Sequence, residues 1–212
     1  MNADPSPPPR VRRPLLIVVS APSGAGKTTL CDRLLAEHPQ MVYSISCTTR
    51  APRGGEVDGR DYHFLAPAEF ERRVAAGEFI EHAVVHGNQY GTLRKTVQES
   101  LCAGKDVLMD IDVQGAASIR AAAQGCEGLL KNGYVDVFIA PPSLKALRAR
   151  LTARNEDAPE VIDQRVKNAV VEMARWREYQ YLVINDKLDE AFIELQSLVR
   201  AEHCRTGSCA AL

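Results

Sequence analysis

The ten residues Ser20-Ala21-Pro22-Ser23-Gly24-Ala25-Gly26-Lys27-Thr28-Thr29 constrain this chain more than any other stretch. An apolar run, Leu15 to Val19, leads into them, and a helix-like pattern from Thr28 to about Glu37 leads out. Strand, glycine-rich turn and helix in that order build a phosphate-binding loop. Small residues let the backbone curl round an anion. Their N–H groups then point inward, at a helix N-terminus whose partial positive charge favours phosphate. Ala21, Pro22, Ser23, Gly24, Ala25, Gly26, Lys27, Thr28 and Thr29 are therefore expected to hold a nucleoside triphosphate. Lys27 is expected to reach the β- and γ-phosphates, and the Thr28 hydroxyl to hold Mg²⁺, itself bound mostly through phosphates and water. The pattern usually opens with Gly, and here Ala21 stands there; this costs little where the position needs only room. The alternative is a turn without a ligand. Gly-x-Gly-Lys-Thr between a buried-type strand and a helix argues against it.

The remaining periodicity places that loop in an α/β fold. Strands are expected at 15–19, 41–46, 62–65, 79–85, 107–112, 135–140 and 181–184. Helices are expected at 28–37, 67–76, 93–103, 114–123, 143–154, 159–179 and 188–202. Residues 87–92 read as a turn and 124–133 as a loop, both rich in glycine. Alternating strands and helices give a central parallel sheet covered on both faces, with ligands at the carboxyl ends of the strands. The stretch 46–92 breaks the alternation and reads as an inserted mixed lobe. Residues 1–13, rich in proline and arginine, read as a disordered tail, 14–203 as the folded domain, and 204–212 as a second tail.

A net charge of −1 argues against a dedicated nucleic-acid binder. No apolar stretch approaches the ~18 residues of a membrane span. The six cysteines (Cys31, Cys47, Cys102, Cys126, Cys204, Cys209) show no metal-site spacing, so reduced thiols and a cytoplasmic location are expected. A homo-oligomer is left open.

The inserted lobe carries its own chemistry. Arg50 and Arg53 lie three apart across a proline turn, where two guanidinium forks can clamp one phosphate. Tyr62 and Tyr90 can add phenolic hydroxyls. Glu81 is a carboxylate in an otherwise apolar strand. A carboxylate only accepts hydrogen bonds, and guanine offers two adjacent donors on its Watson–Crick edge. Adenine presents an acceptor there. Singly, each residue has a plainer reading as a solvated charge or a core side chain. Together, downstream of a triphosphate loop, they point to a second nucleotide site.

These residues resemble the guanylate kinase family. The resemblance rests on Ala21-Pro22-Ser23-Gly24-x-Gly26-Lys27, on Ser46-x-Thr48-Thr49-Arg50-x-Pro52-Arg53-x-Gly55-Glu56-x-x-Gly59-x-x-Tyr62, and on Phe79-Ile80-Glu81. It extends through Gly87-Asn88-x-Tyr90-Gly91-Thr92, Asp110-Ile111-Asp112-x-Gln114-Gly115, Pro141-Pro142-Ser143 and Asn185-Asp186. It implies a P-loop three-layer kinase with a GMP-binding lobe at about 46–92 and a small helical lid at about 143–170. By motif, Arg50, Arg53, Tyr62 and Tyr90 hold the GMP phosphate, and Ser46, Glu81 and Thr92 read guanine. Asp110 and Asp112 act near GMP and the Mg²⁺ waters, and Asn185 lies near the adenine of ATP. Lys27, Arg50 and the lid arginines Arg150, Arg154 and Arg165 shield the transferring phosphates. The lid departs from the family's Gly-Arg-Gly, reading Ala153-Arg154-Asn155. The implied reaction is γ-phosphoryl transfer from ATP to GMP, with dGMP and IMP open as acceptors. A silent interaction module of the same fold is the alternative, and the intact loop speaks against it. A regulatory GTPase lacks support, because no Asn-Lys-x-Asp run occurs.

Overall fold

Strand β1 (Leu16–Ser20) is buried at every residue because it pairs in parallel with a neighbour on each side. Those neighbours are β7 (Asp106–Asp110) and β8 (Tyr134–Ala140). The computed structural model describes residues 12–85, 87–125, 128–154 and 157–205. The segments 1–11 and 206–212, with Cys126, Asn155 and Cys209, lie outside these described residues. Outward from β7 and β8 lie β2 (Met41–Tyr43) and β9 (Tyr181–Ile184), giving a five-stranded parallel sheet in the order β2-β7-β1-β8-β9.

The period of two along β1 divides the core. Leu15, Ile17 and Val19 face helices α1 (Lys27–Glu37) and α8 (Leu188–His203), meeting Leu30, Leu34, Phe192 and Leu195. Leu16 and Val18 face the other way, toward Val97 and Leu101 of α3 (Arg94–Cys102) and Ile119 of α4 (Val113–Gln124). Helices α6 (Leu144–Ala153) and α7 (Pro159–Met173) form a separate helical pair, closed by Leu147, Leu151, Ile162 and Ala169. Ser143 caps α6 by accepting from the Ala146 N–H.

The insert builds a second sheet. Strands β3 (Cys47–Thr48), β4 (His63–Phe64), β5 (Phe79–Val85) and β6 (Asn88–Leu93) run in the order β4-β3-β6-β5. Helix α2 (Pro67–Ala75) covers it, stacking Phe70 on Phe79 at 4.5 Å between centroids.

Three expectations need correction. Residues 87–92 are not a turn: from Asn88 they form β6, antiparallel to β5 and β3. The expected loop at 124–133 contains a one-turn helix, α5 (Leu129–Asn132). The helix expected over 159–179 ends at Met173, and a 3₁₀ turn, Trp176–Glu178, leads to β9. That turn seats Tyr179 against Phe138, 5.1 Å between centroids, and delivers Tyr181 opposite Val137. A continued helix would forfeit that pairing.

Candidate functional site

The glycine-rich loop joins β1 to α1 at the carboxyl edge of the parallel sheet. Gly26 is the residue before α1 and holds φ at +90°. A Cβ there would stand 2.3 Å from Asn185 Nδ2. Glycine is thus required twice at this position, by backbone conformation and by room. Asn185 is buried and donates from Nδ2 to the Ala25 carbonyl at 2.7 Å. Its own backbone N–H donates to Ala140 at the end of β8. The resemblance places Asn185 near the adenine; in the fold its amide also supports the phosphate loop.

Lys27 opens α1 and extends to the end of β7. Its ammonium pairs with the Asp110 carboxylate and donates to the Ile111 carbonyl at 3.1 Å. Asp112 caps α4, accepting from the Gly115 N–H at 2.8 Å. Two cavities meet around these groups, and a third adjoins the loop. The largest, about 820 Å³, is lined by the loop from Ala21 to Thr29 except Ala25, together with Tyr62, Asp110 and Asp112. A second, about 280 Å³, is lined by Ser46, Tyr62, Glu81, Tyr90, Asp110 and Asp112. Both include Lys27. The third, about 440 Å³, lies on the other flank of the loop and includes Gly26, Thr29, Arg150, Arg154 and Asn185. Arg154 also lines the largest.

Glu81 lines the second cavity. It is 6 % exposed, and Oε1 accepts from the Thr92 hydroxyl at 2.8 Å. The strand pairing that the sequence missed puts Thr92 directly opposite Glu81. Burial pushes the Glu81 carboxyl up to about 7; the Thr92 bond lowers it, and the nearby Asp112 charge adds to the rise. Gly115 was given no role from sequence. A Cβ there would come within 3.2 Å of Glu81 Oε2, so glycine lets the start of α4 pack against the carboxylate.

The phosphate-clamp residues are gathered unevenly. Thr48 and Thr49 tie the chain before Arg50 to Gln89 of β6. Arg50 then lies over the Tyr62 ring, its carbon 5.3 Å from the centroid, and Tyr62 meets Tyr90 edge-on at 6.0 Å. Arg53 is exposed, and its backbone N–H, rather than its guanidinium, donates to Glu56. Among the lid arginines, Arg165 reaches the Ser23 hydroxyl at 3.4 Å and Asp157 at 3.3 Å. Arg150 instead donates to the carbonyls of Asn185 and Asp186, at 2.8 and 3.1 Å. Tyr43, Glu56, Arg60 and Asp61 also line the largest cavity and had no site role from sequence. For Glu56 the available signal was its place in the arginine motif.

A phosphate loop ending a parallel strand, beside a separate acceptor lobe that opens onto the same lysine, defines a P-loop phosphotransferase. The chain belongs to the guanylate kinase family, whose family model matches residues 12–202. It is 45 % identical over 196 residues to the guanylate kinase of Geobacter sulfurreducens, covering 92 % of this chain and 93 % of that one. The guanylate kinase of Alkalilimnicola ehrlichii is 48 % identical over 190 residues, 90 % of each chain. The crystal structure of guanylate kinase from Anaplasma phagocytophilum superimposes with a TM-score of 0.73 at 34 % identity, over 93 % of this chain and 90 % of that chain.

Proposed function

We propose that the chain transfers the γ-phosphoryl group of ATP to GMP or dGMP, giving ADP and GDP or dGDP. The observation that carries this reading is the meeting of two cavities at Lys27, one walled by the phosphate loop and the other lined by buried Glu81. ATP lies along the loop, its adenine in the third cavity by Asn185 and Arg150, its γ-phosphate at Lys27. GMP enters the second cavity with guanine toward Ser46, Glu81 and Thr92, and phosphate toward Arg50, Arg53, Tyr62 and Tyr90. A phosphate oxygen of GMP attacks the γ-phosphorus in line, and the bond to the leaving ADP oxygen breaks. No strong base is needed, because the attacking oxygen is already anionic. The obstacle is repulsion between two anions, which Lys27, Arg50, Arg154 and Arg165 offset. Closing lobe and helical pair excludes water that would otherwise take the phosphoryl group.

The donors at the junction suit Mg²⁺, which prefers hard oxygen ligands. The Thr28 hydroxyl, Asp110 and Asp112 all line the largest cavity. No group of three or more His, Cys, Asp or Glu side chains forms a metal cluster among the described residues. Bound there, Mg²⁺ neutralises phosphate charge. A cytoplasmic location is part of the same reading, supported by the thiols Cys31, Cys47 and Cys102, which stand unbridged. No helix among the described residues is long and apolar enough to cross a membrane.

Glu81 reads guanine only when ionised. With its carboxyl at about 7, guanosine affinity is expected to fall about tenfold per pH unit below that value and to level off above it. Guanosine, rather than GMP, keeps phosphate ionisation out of the measurement. The same shift sets a stability trend. The folded state holds a proton that the unfolded chain releases near 4.5, so stability falls as pH rises from about 4.5 through about 7. Glu81→Gln removes that cost and is expected to raise stability at pH 8 by on the order of 2–3 kcal/mol, while weakening guanosine binding. Calorimetric titration and thermal melts check both. Guanosine affinity that is flat with pH, or unchanged in Glu81→Gln, would contradict the assignment.

A further inference from the structure

Arg50 does not stand alone in the acceptor lobe: its guanidinium is held by a carboxylate six residues further on. Nη2 donates to Glu56 Oε1 at 2.8 Å and Nη1 to Oε2 at 3.0 Å, a parallel two-bond pairing. The other Nη1–H goes to the Ala51 carbonyl at 2.9 Å. Glu56 is fixed in turn, because Oε2 also accepts from the Arg53 N–H at 2.7 Å. The Arg50 side chain is 10 % exposed and Glu56 23 %. The bonds from Arg50, then that from the Arg53 backbone, hold the Glu56 carboxyl down at about 2, so it is ionised throughout the neutral range. Glu56 lines the cavity that holds the phosphate loop, whereas Tyr62, over which Arg50 lies, lines both cavities.

A guanidinium has five N–H donors in a fixed plane. The Glu56 pairing and Ala51 use three of them, at the end of the group and on its Nη1 side. The Nε–H and the outer Nη2–H form a second parallel pair on the opposite edge, the edge suited to two oxygens of one phosphate. Rotation of the guanidinium would break two charge-assisted bonds at once, so Glu56 sets which edge Arg50 presents.

We propose that Glu56 is a positioning residue for the acceptor phosphate, acting through Arg50. This rests on the reading of the lobe as the GMP site. The opposite role is conceivable on the same contacts: a carboxylate occupying the fork would compete with the phosphate, and its removal would tighten GMP binding. The two roles predict opposite signs.

The test compares the full-length parent with Glu56→Gln and Glu56→Ala. Steady-state kinetics are run with GMP and ATP varied in turn, and binding of GMP and of guanosine is measured by calorimetry. Positioning predicts that kcat/KM for GMP falls about ten- to a hundredfold in Glu56→Ala. The loss should be smaller in Glu56→Gln, which keeps one acceptor oxygen. The KM for ATP and the affinity for guanosine, which has no phosphate, should stay within about twofold. A guanosine affinity that falls along with GMP would indicate general damage to the lobe and overturn the proposal. So would an unchanged or improved KM for GMP. Parent enzyme inactive on GMP would instead overturn the functional reading beneath it.

Discussion

Replacing Lys27 with alanine should lower kcat by at least about a hundredfold, with the KM for GMP little changed. The Lys27 ammonium stands where the largest cavity meets the one that contains Glu81, held there by Asp110 and the Ile111 carbonyl. It is thus placed where the γ-phosphate would leave one nucleotide and join the other. A charge at that point stabilises the spreading negative charge of transfer more than it stabilises either bound substrate, so its loss falls on kcat. Alanine is a good helix former at the first position of α1, so the fold should survive and a thermal melt should show a cooperative transition near that of the parent. Arginine is not an adequate replacement, because its planar fork cannot act as a compact point charge. Near-normal turnover in Lys27→Ala would sink the assignment.

Gly26→Ala should damage both stability and activity, for a reason visible one residue from the lysine. Alanine at φ +90° is strained, at a cost of about 1–2 kcal/mol. Its Cβ would also lie 2.3 Å from Asn185 Nδ2, in a side chain that is 4 % exposed. Displacing that amide breaks its bond to the Ala25 carbonyl and leaves buried polar atoms unpaired, a further 1–3 kcal/mol or so. A total on the order of 3 kcal/mol corresponds to a melting temperature roughly 6–12 °C lower for a domain of this size. Turnover should drop by about a hundredfold or more, since the loop amides lose their common focus. The double variant Gly26→Ala/Asn185→Ala separates the two causes. Removing the amide relieves the clash but not the backbone strain, so the two substitutions should be less than additive in stability. Strict additivity would mean that the Asn185 contact carries none of the cost.

Much of the parallel sheet was legible because its signals are local. A run such as Leu15–Val19, buried on both faces, needs no alternation to be seen, and the loop after it has a spacing set by phosphate geometry. Glu81 was legible for the opposite reason, as a charge where the strand pattern asked for an apolar residue. The features that were missed depend on distant partners. Asn88–Leu93 is polar and glycine-containing, and it becomes a strand because β3 and β5 lie on either side of it. The tightest neighbour of a Cβ at Gly115 would be Glu81 Oε2, thirty-four positions earlier, with Asp112 Oδ1 close behind at 3.3 Å. Helix α7 stops without proline or glycine, because Tyr179 and Tyr181 are required beside β8. Motif transfer put Asn185 near the adenine and Arg150 among the lid arginines, but it could not show that one props the loop and the other braces the 185–186 backbone.

The central claim is acceptor-specific phosphoryl transfer, and a coupled ADP-release assay tests it most directly. Protein is supplied with ATP and Mg²⁺, and in turn with GMP, AMP, UMP, CMP or no acceptor, with EDTA as the metal-free control. The expected result is rapid ADP release with GMP, background rates with the other acceptors and with none, and loss of turnover in EDTA. Release with AMP, UMP or CMP in place of GMP would overturn the role of Glu81. Silence with every acceptor, from folded protein that still binds ATP, would contradict the proposed reaction itself.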